Sequence, residues 1–533
     1  MVVHLFGKLW QWLWVGLVLL PIGVIVASYQ QIDQAIWAHL LDFQLLTLLS
    51  NTFLLLLGVG LGVVLLGTSS AWLTAVYQFP GRGLFFWALM LPLALPAYVM
   101  AFSQLGLFDY TGPISTYLRE RWQFQNGLPE IRHAGGVIAV MSLAFYPYVY
   151  LLARNAFSSM GQRALEVGAS LGLNPWQAFF KVALPMARPW IVGGMVLALM
   201  ETLADFGTVA IFNYDTFTTA IYQAWFAFYS LETAKQLASL LILLVFVLLL
   251  LEQHRRRQRR FTQTGRAQAA LRRPLHGGRA WLASGYCGLL FLIAFVLPVA
   301  QLVYWAIGTW DNAFETDLWQ YAWHSFVLAL GAAFLVLVAA LGLALSKRAN
   351  PGRQSLWLTR IATLGYAIPG TVLAVGVFVP IAWLDHLVIE QFGLGESGGA
   401  WLKGSLAALF LAYALRFMAV AFAAVEAGLE RIAPHQEEAA RTLGVHGVGL
   451  LRRVYLPLLQ GALGTAMLMV FVDVMKEMPI TLMMRPFDWD TLAVRIFNFT
   501  TEGQYDLAAW PSLLIVITGF VPILLFSRTE QSA

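Results

Sequence analysis

One pattern of polar residues occurs twice in this chain, in the same register. Glu166 is followed by Gly172, Val182 and Leu184-Pro185, and Glu438 by Gly444, Val454 and Leu456-Pro457. Every spacing in the first set recurs in the second, so a single offset, that from Glu166 to Glu438, superposes the two. Both copies sit in arginine-containing polar stretches between long apolar segments. This points to two like halves threaded through an apolar medium, each holding one polar loop outside it.

That medium is a lipid bilayer. The chain is 59% hydrophobic and only 11% charged over 533 residues, where a soluble domain carries about 25% charged residues. Apolar stretches of about 20 residues, long enough to cross a bilayer as a helix, recur along the whole length. Alternating ten-residue segments are absent, which excludes an outer-membrane barrel. The reading is an all-α membrane protein with twelve spans, at 11–28, 46–67, 84–105, 134–153, 188–211, 234–251, 281–306, 325–345, 356–382, 404–424, 459–482 and 507–527. Lys8 precedes the first apolar run and no small-residue cleavage site follows, so an uncleaved first span is expected. Trp10, Trp12 and Trp14 read as interfacial anchors. The single Cys287 excludes a disulfide framework and any thiolate-held iron–sulfur cluster within the chain. The nine histidines form no ligand-like cluster, so no stored metal is expected.

Along the chain the basic residues sort to one side. Arg82, Arg154, Arg163, Lys181 and Arg188 share it with Lys347, Arg348, Arg353, Arg416, Arg441, Arg452 and Arg453. The 252–280 linker adds nine arginines, five of them at 255–260. The positive-inside rule makes this side cytoplasmic and places both termini there. The same rule accounts for the formal net charge of +5 without a nucleic-acid partner. The linker divides a first repeat, 1–251, from a second, 281–533. Leu95-Pro96 answers Ile368-Pro369, and Ser239-Leu240-Leu241-Ile242 answers Ser512-Leu513-Leu514-Ile515, at the loop offset to within one position. An even number of spans per half inserts both halves the same way, a parallel repeat about an axis normal to the membrane.

Carboxylates inside spans also match. Glu201 and Asp205 answer Asp473 and Glu477 at the same offset as the loops. Residues four apart share a helix face, and a charge at mid-membrane costs about 2.5–3.5 kcal/mol on insertion scales. Two readings are open: a carboxylate-lined pathway, or structural pairing, with Lys476 as partner to Asp473 or Glu477. Pro92, Pro96 and Pro369-Gly370 fall within spans and read as kinks.

The second loop, Glu437-Glu438-Ala439-Ala440-Arg441-Thr442-Leu443-Gly444 with Leu456-Pro457 beyond it, resembles the "EAA" loop of ABC-transporter permeases. The first keeps Glu166, Gly172, Leu184 and Pro185 but has Val167-Gly168 in place of the two alanines. Glu201-Thr202-Leu203-Ala204-Asp205-Phe206-Gly207-Thr208 and Lys476-Glu477-Met478-Pro479-Ile480-Thr481 look like the ferric-iron branch of fused two-domain permeases. The resemblance covers nearly the whole chain. It implies an ABC importer type I permease fold in a bacterial inner membrane, two ATPase subunits docking at the Glu166 and Glu438 loops, and a periplasmic binding protein delivering ferric iron. Relatives of this architecture carry thiamine, polyamines, phosphonates or sulfate, so another small solute is the alternative cargo. No Gly-x-x-x-x-Gly-Lys-Ser/Thr phosphate loop is present. ATP is therefore expected to be used by partner subunits, and this chain to bind no cofactor and catalyse no reaction. A self-sufficient secondary transporter, also built from two six-span halves, is the rival in another class; it would have no need of two matched docking loops.

Overall fold

The computed structural model describes residues 2–30, 34–122, 130–257, 272–311, 317–392 and 402–531. Residues 258–271 of the arginine-rich linker lie outside the described residues. The long helices are α1 Val2–Ala27, α2 Leu45–Val76, α3 Ala134–Ser170, α4 Leu184–Ala204, α5 Leu231–Arg257, α6 Gly278–Phe291, α7 Leu297–Gly308, α8 Leu318–Ala349, α9 Gly370–Phe392, α10 Leu406–Glu430, the short α11 Pro434–Thr442, α12 Leu456–Met475 and α13 Ala509–Gln531. Among the described residues the only sheet is a two-residue parallel bridge, Tyr77–Gln78 with Arg273–Pro274.

Among the described residues ten helical stretches are long and apolar enough to cross a membrane. An eleventh segment, Arg82–Ala94 with Ala97–Arg121, is bent by 97°, and the apolar part of α13, Ala509–Pro522, is shorter. The twelve expected segments are thus largely helical, but four are interrupted: 188–211 after Ala204 and 459–482 after Met475, and two more at proline. The expected span 84–105 breaks at Leu95-Pro96, and 356–382 breaks at Ile368-Pro369, where α9 begins. Leu95 and Ile368 are both extended, because proline clashes with a helical residue before it. Three arginines assigned to the basic side are buried, among them Arg82, 8% exposed, and Arg416, which lies inside the expected span 404–424. Arg154 is 1% exposed within α3 and donates to the Phe86 carbonyl oxygen at 2.8 Å. Arg416 is 8% exposed within α10.

The chain forms two compact units, each drawn from both sequence halves. The first comprises Met1–Ala38, Ala220–Ile242 and Asp317–Arg495. Here α1 packs on second-half helices: Trp10 Nε1 donates to Ala339 O at 3.2 Å, and Gln11 Nε2 to Ser355 Oγ at 2.7 Å. The other comprises His39–Thr219, Leu243–Thr316 and Ile496–Ala533. Its core is the α2–α3 pair. The backbones approach so closely that a Cβ at Gly67 would stand 2.7 Å from Val149 Cβ and 2.9 Å from the Tyr146 carbonyl oxygen. Small residues permit such contacts where lipid supplies no hydrophobic drive between helices. In the same unit Gln104 Nε2 donates to Ile293 O at 2.9 Å, and Trp510 Nε1 to Ala306 O at 2.9 Å.

Candidate functional site

The two polar loops turn in the same way. At the end of α3, Leu173 N–H donates to Gly168 O at 2.8 Å and Gly172 N–H to Ala169 O at 3.0 Å. At the end of α11, Val445 N–H donates to Ala440 O at 3.0 Å and Gly444 N–H to Arg441 O at 3.0 Å. Each pair of bonds is a Schellman cap, and each requires a left-handed residue just past the helix. Gly172 has φ +72° and Gly444 φ +79°, values that glycine adopts without strain. The departure at Val167-Gly168 has a local cause. A Cβ at Gly168 would lie 2.5 Å from Ala178 Cβ, so the returning chain leaves no room there for alanine. At the matched site of the second loop, Ala440 is buried.

The Leu-Pro pairs open α4 and α12, and a helical turn runs directly into each of them. Proline lacks the N–H of a regular turn and collides with the carbonyl four residues before it. Both halves widen the preceding turn into a π turn, at Phe179–Ala183 and Leu451–Tyr455, so that Leu184 N–H reaches Phe179 O and Leu456 N–H reaches Leu451 O. Pro185 and Pro457 follow, and α4 and α12 continue into the spans.

Glu166, Glu438 and Ala439 are exposed. Beside them stand apolar side chains that the sequence reading missed. Leu171 is 67% exposed and Leu443 82%; Trp176 is 75% exposed and Val448 71%. Leu443 answers Leu171, and Val448 answers Trp176, at the offset that relates Glu438 to Glu166, so the repeat itself was the signal that could have found them. Each loop therefore offers an acid, a glycine turn and two exposed apolar side chains in the same order. The first loop rests on rings, with Trp72 centred 5.0 Å from Phe157 and 4.8 Å from Phe179. The second rests on Arg348, which pairs with Glu437. Neither Arg348 nor the aromatic cluster stood out in the sequence.

The four carboxylates do not form the two helical faces that the sequence spacing predicts. α4 ends at Ala204 and α12 at Met475, so Asp205 and Glu477 lie beyond the helices that hold Glu201 and Asp473. Asp205 caps the short helix Gly207–Ile211: Oδ1 accepts from Thr208 N–H at 2.9 Å and Oδ2 from the Thr208 hydroxyl at 3.0 Å. Glu477 Oε1 accepts from Ile480 N–H at 3.3 Å, at the start of Pro479–Met484. A short acceptor at that place satisfies an amide that has no partner in its own helix. Glu477 also lies 3.3 Å from Arg416 Nε. Asp473 pairs with Lys476 at 2.8 Å, and Glu201 is half-buried on α4. Among the described residues no three His, Cys, Asp or Glu side chains converge as metal ligands.

A sequence model of the family described as "binding-protein-dependent transport system inner membrane component" matches residues 63–263 and again 336–529. The Fe(3+)-transport system permease protein FbpB 2 of Haemophilus influenzae is 27% identical over 487 residues, 90% of this chain and 89% of that protein. The ferric transport system permease protein FbpB of Actinobacillus pleuropneumoniae is 22% identical over 460 residues, 82% of this chain and 64% of that one. The putative 2-aminoethylphosphonate transport system permease protein PhnV of Salmonella typhimurium is 28% identical over 271 residues, 48% of this chain but 95% of its own length.

Proposed function

Because the chain belongs to the family of binding-protein-dependent transport system inner membrane components, we propose that it is the fused permease of an importer for ferric iron, gripped at both polar loops by ATPase subunits. Membership makes it a multi-pass inner-membrane transport component and implies a periplasmic binding protein and ATPase partners. It also removes the motive for a self-sufficient secondary transporter. Repeats 1–251 and 281–533 are the two permease halves of the proposal.

The docking reading rests on one observation above others. Leu171 with Trp176 and Leu443 with Val448 stand exposed at matched positions on two identically capped turns. Exposed apolar groups rimmed by polar residues mark protein contact sites, and two copies ask for two copies of one partner. Glu166, Gly172, Leu184 and Pro185 form the first such loop; Glu438, Ala439, Ala440, Gly444, Leu456 and Pro457 form the second. Lys181, Arg188, Arg441, Arg452 and Arg453 lie on or near these loops, which supports their assignment, and that of both termini, to the cytoplasm. ATP is used by the partners.

Iron as cargo is supported by two relatives named for ferric transport that align with most of this chain. The phosphonate relative, aligned over nearly its whole length, favours a second reading with the same mechanism and an anionic cargo. The test is uptake in cells lacking this chain and complemented with it, with radiolabelled ferric iron, 2-aminoethylphosphonate and thiamine offered separately. Iron uptake restored alone supports the proposal. Restoration of another solute without iron overturns the cargo and leaves the permease reading intact.

A further inference from the structure

The two loops leave their spans differently. In the first half α3 runs unbroken from Ala134 to Ser170, so the loop is the end of a spanning helix. In the second half α10 stops at Glu430 and α11 begins at Pro434. Pro434 stands where the first half, at the loop offset, has Gln162. Proline at a first helical position cannot continue a preceding helix, and it holds Ala433 extended, at φ −68° and ψ 142°. The break leaves the last carbonyls of α10 without helical partners.

Arg348, from the end of α8, fills that gap. Its Nη1 donates to Leu429 O, and its Nη2 donates to Ile432 O at 2.6 Å. The same guanidinium pairs with Glu437 on the first turn of α11. Glu437 also hydrogen-bonds Tyr455, in the π turn that leads into α12, and faces Arg441 at 3.9 Å. The Arg348 guanidinium carbon lies 5.9 Å from the Tyr455 ring centre. Four elements thus meet at one part-buried ion pair, with Arg348 21% and Glu437 12% exposed. The repeat does not carry the pair over, since the residues that answer Arg348, Glu437 and Tyr455 in the first half are Val76, Leu165 and Ala183.

We propose that Glu437 is a positioning residue of the second loop. With Arg348 it forms a clamp through which movement of α11 reaches α8 and α12. In the first half the same movement passes along α3 without a joint. This rests on the reading that the loops dock ATPase subunits. The two halves then receive the same stroke through different linkages, one a rigid lever and one a charged hinge. Glu437, the acid next to the motif's Glu438, faces inward to the clamp, whereas Glu438 faces out.

The test compares the full importer complex, purified in nanodiscs, with and without trapping of its ATPase subunits by ATP and vanadate. Hydrogen exchange is followed at 160–170, 340–349 and 434–445. The variants are Glu437→Gln, which keeps size and a hydrogen bond to Tyr455 but removes the charge, and Arg348→Ala. In the parent complex trapping is expected to change exchange at 160–170 and at 340–349. In Glu437→Gln the change at 160–170 is expected to persist, that at 340–349 to shrink, and untrapped 434–445 to exchange about tenfold faster, the order set by losing one part-buried charged pair. An unaltered trapping response at 340–349 overturns the clamp. So does a general rise in exchange that includes 160–170, which would mark Glu437 as merely structural. Should Arg348→Ala fail to accumulate, Glu437→Gln carries the test. A parent chain that retains no ATPase subunit at all overturns the docking reading instead, and is seen before any variant is made.

Discussion

Arg416 and Glu477 face each other at 3.3 Å with side chains 9% and 8% exposed, and the repeat does not reproduce the pair. The first-half counterparts are Ala144 and Asp205. Arg416 also donates from Nη1 to Ile368 O at 2.8 Å, the carbonyl just before the helix-breaking Pro369. One buried cation therefore holds both discontinuities of the second half, before α9 and after α12. In the first half Asp205, which stands where Glu477 does, is held by Thr208 and by Thr218, whose hydroxyl donates to the Asp205 carbonyl oxygen at 2.7 Å.

This difference predicts unequal outcomes for two matched substitutions. Glu477→Gln leaves Arg416 buried without its counter-charge, a change that typically costs about 3–5 kcal/mol. Asp205→Asn keeps an oxygen able to cap Gly207–Ile211 and should cost about 1 kcal/mol or less. Thermal melting in detergent and the level of protein in membranes measure both. Equal melting temperatures for the two variants would show that the pair contributes nothing specific.

The exposed loop residues predict the opposite signature. Leu171→Asp and Leu443→Asp change side chains that contact little of the folded chain, so stability should move by no more than about 0.5 kcal/mol. Retention of ATPase subunits on the tagged chain should fall about tenfold or more, as when an apolar interface anchor is lost. Glu438→Ala and Gly444→Pro should uncouple hydrolysis from uptake, the latter because proline cannot adopt the φ of +79° found there. Glu166→Ala should act more weakly. Full retention and normal uptake in all of these variants would remove the loops from the docking site.

Much of this architecture was legible in the sequence, for definable reasons. Hydrophobic runs report spans because lipid demands an apolar helix surface, and the constant offset between the halves located both loops together with their glycine turns. Breaks within runs were harder to read. Asp205 has apolar neighbours on both sides and passes for a helix residue, although an aspartate with Thr208 three residues on also fits a cap. Leu95-Pro96 and Ile368-Pro369 were seen as kinks, but a proline alone does not tell a kink from a 97° bend. The Arg348–Glu437 contact joins residues far apart in the chain and has no repeat partner, so neither periodicity nor the offset could disclose it.

Topology is tested by placing single cysteines in a Cys287→Ala background. Cys287 is fully buried, and alanine removes its thiol with a small loss of volume. Cysteines at Ser170 and Thr442 should resist an impermeant thiol reagent added to intact cells and react once the membrane is opened. One at Asp215, exposed and on the acidic side of the sequence, should react from outside. The reverse pattern would invert the orientation and place both loops where no ATPase could reach them.

The last prediction concerns cargo. With Asp205 and Glu477 occupied in capping, Glu201 and Asp473 are the matched acids that remain on spanning helices. If the cargo is a ferric cation, carboxylates near its path lower the cost of crossing a region of low dielectric. Two unit charges about 4 Å apart interact by about 4 kcal/mol at an effective dielectric constant of about 20. Part of this is offset at Asp473 by Lys476, 2.8 Å away. Replacing Glu201 by Gln and Asp473 by Asn together keeps size and removes charge. Ferric uptake, normalised to membrane protein, should then fall about tenfold or more, a loss of at least about 1.4 kcal/mol in the transport barrier, with melting temperature and ATPase retention unchanged. An anionic phosphonate cargo predicts the other sign, because removing two negative charges would ease its passage and uptake would hold or rise. An unchanged normalised ferric rate takes these acids out of the pathway. A fall in protein level with a normal rate per molecule assigns them to folding.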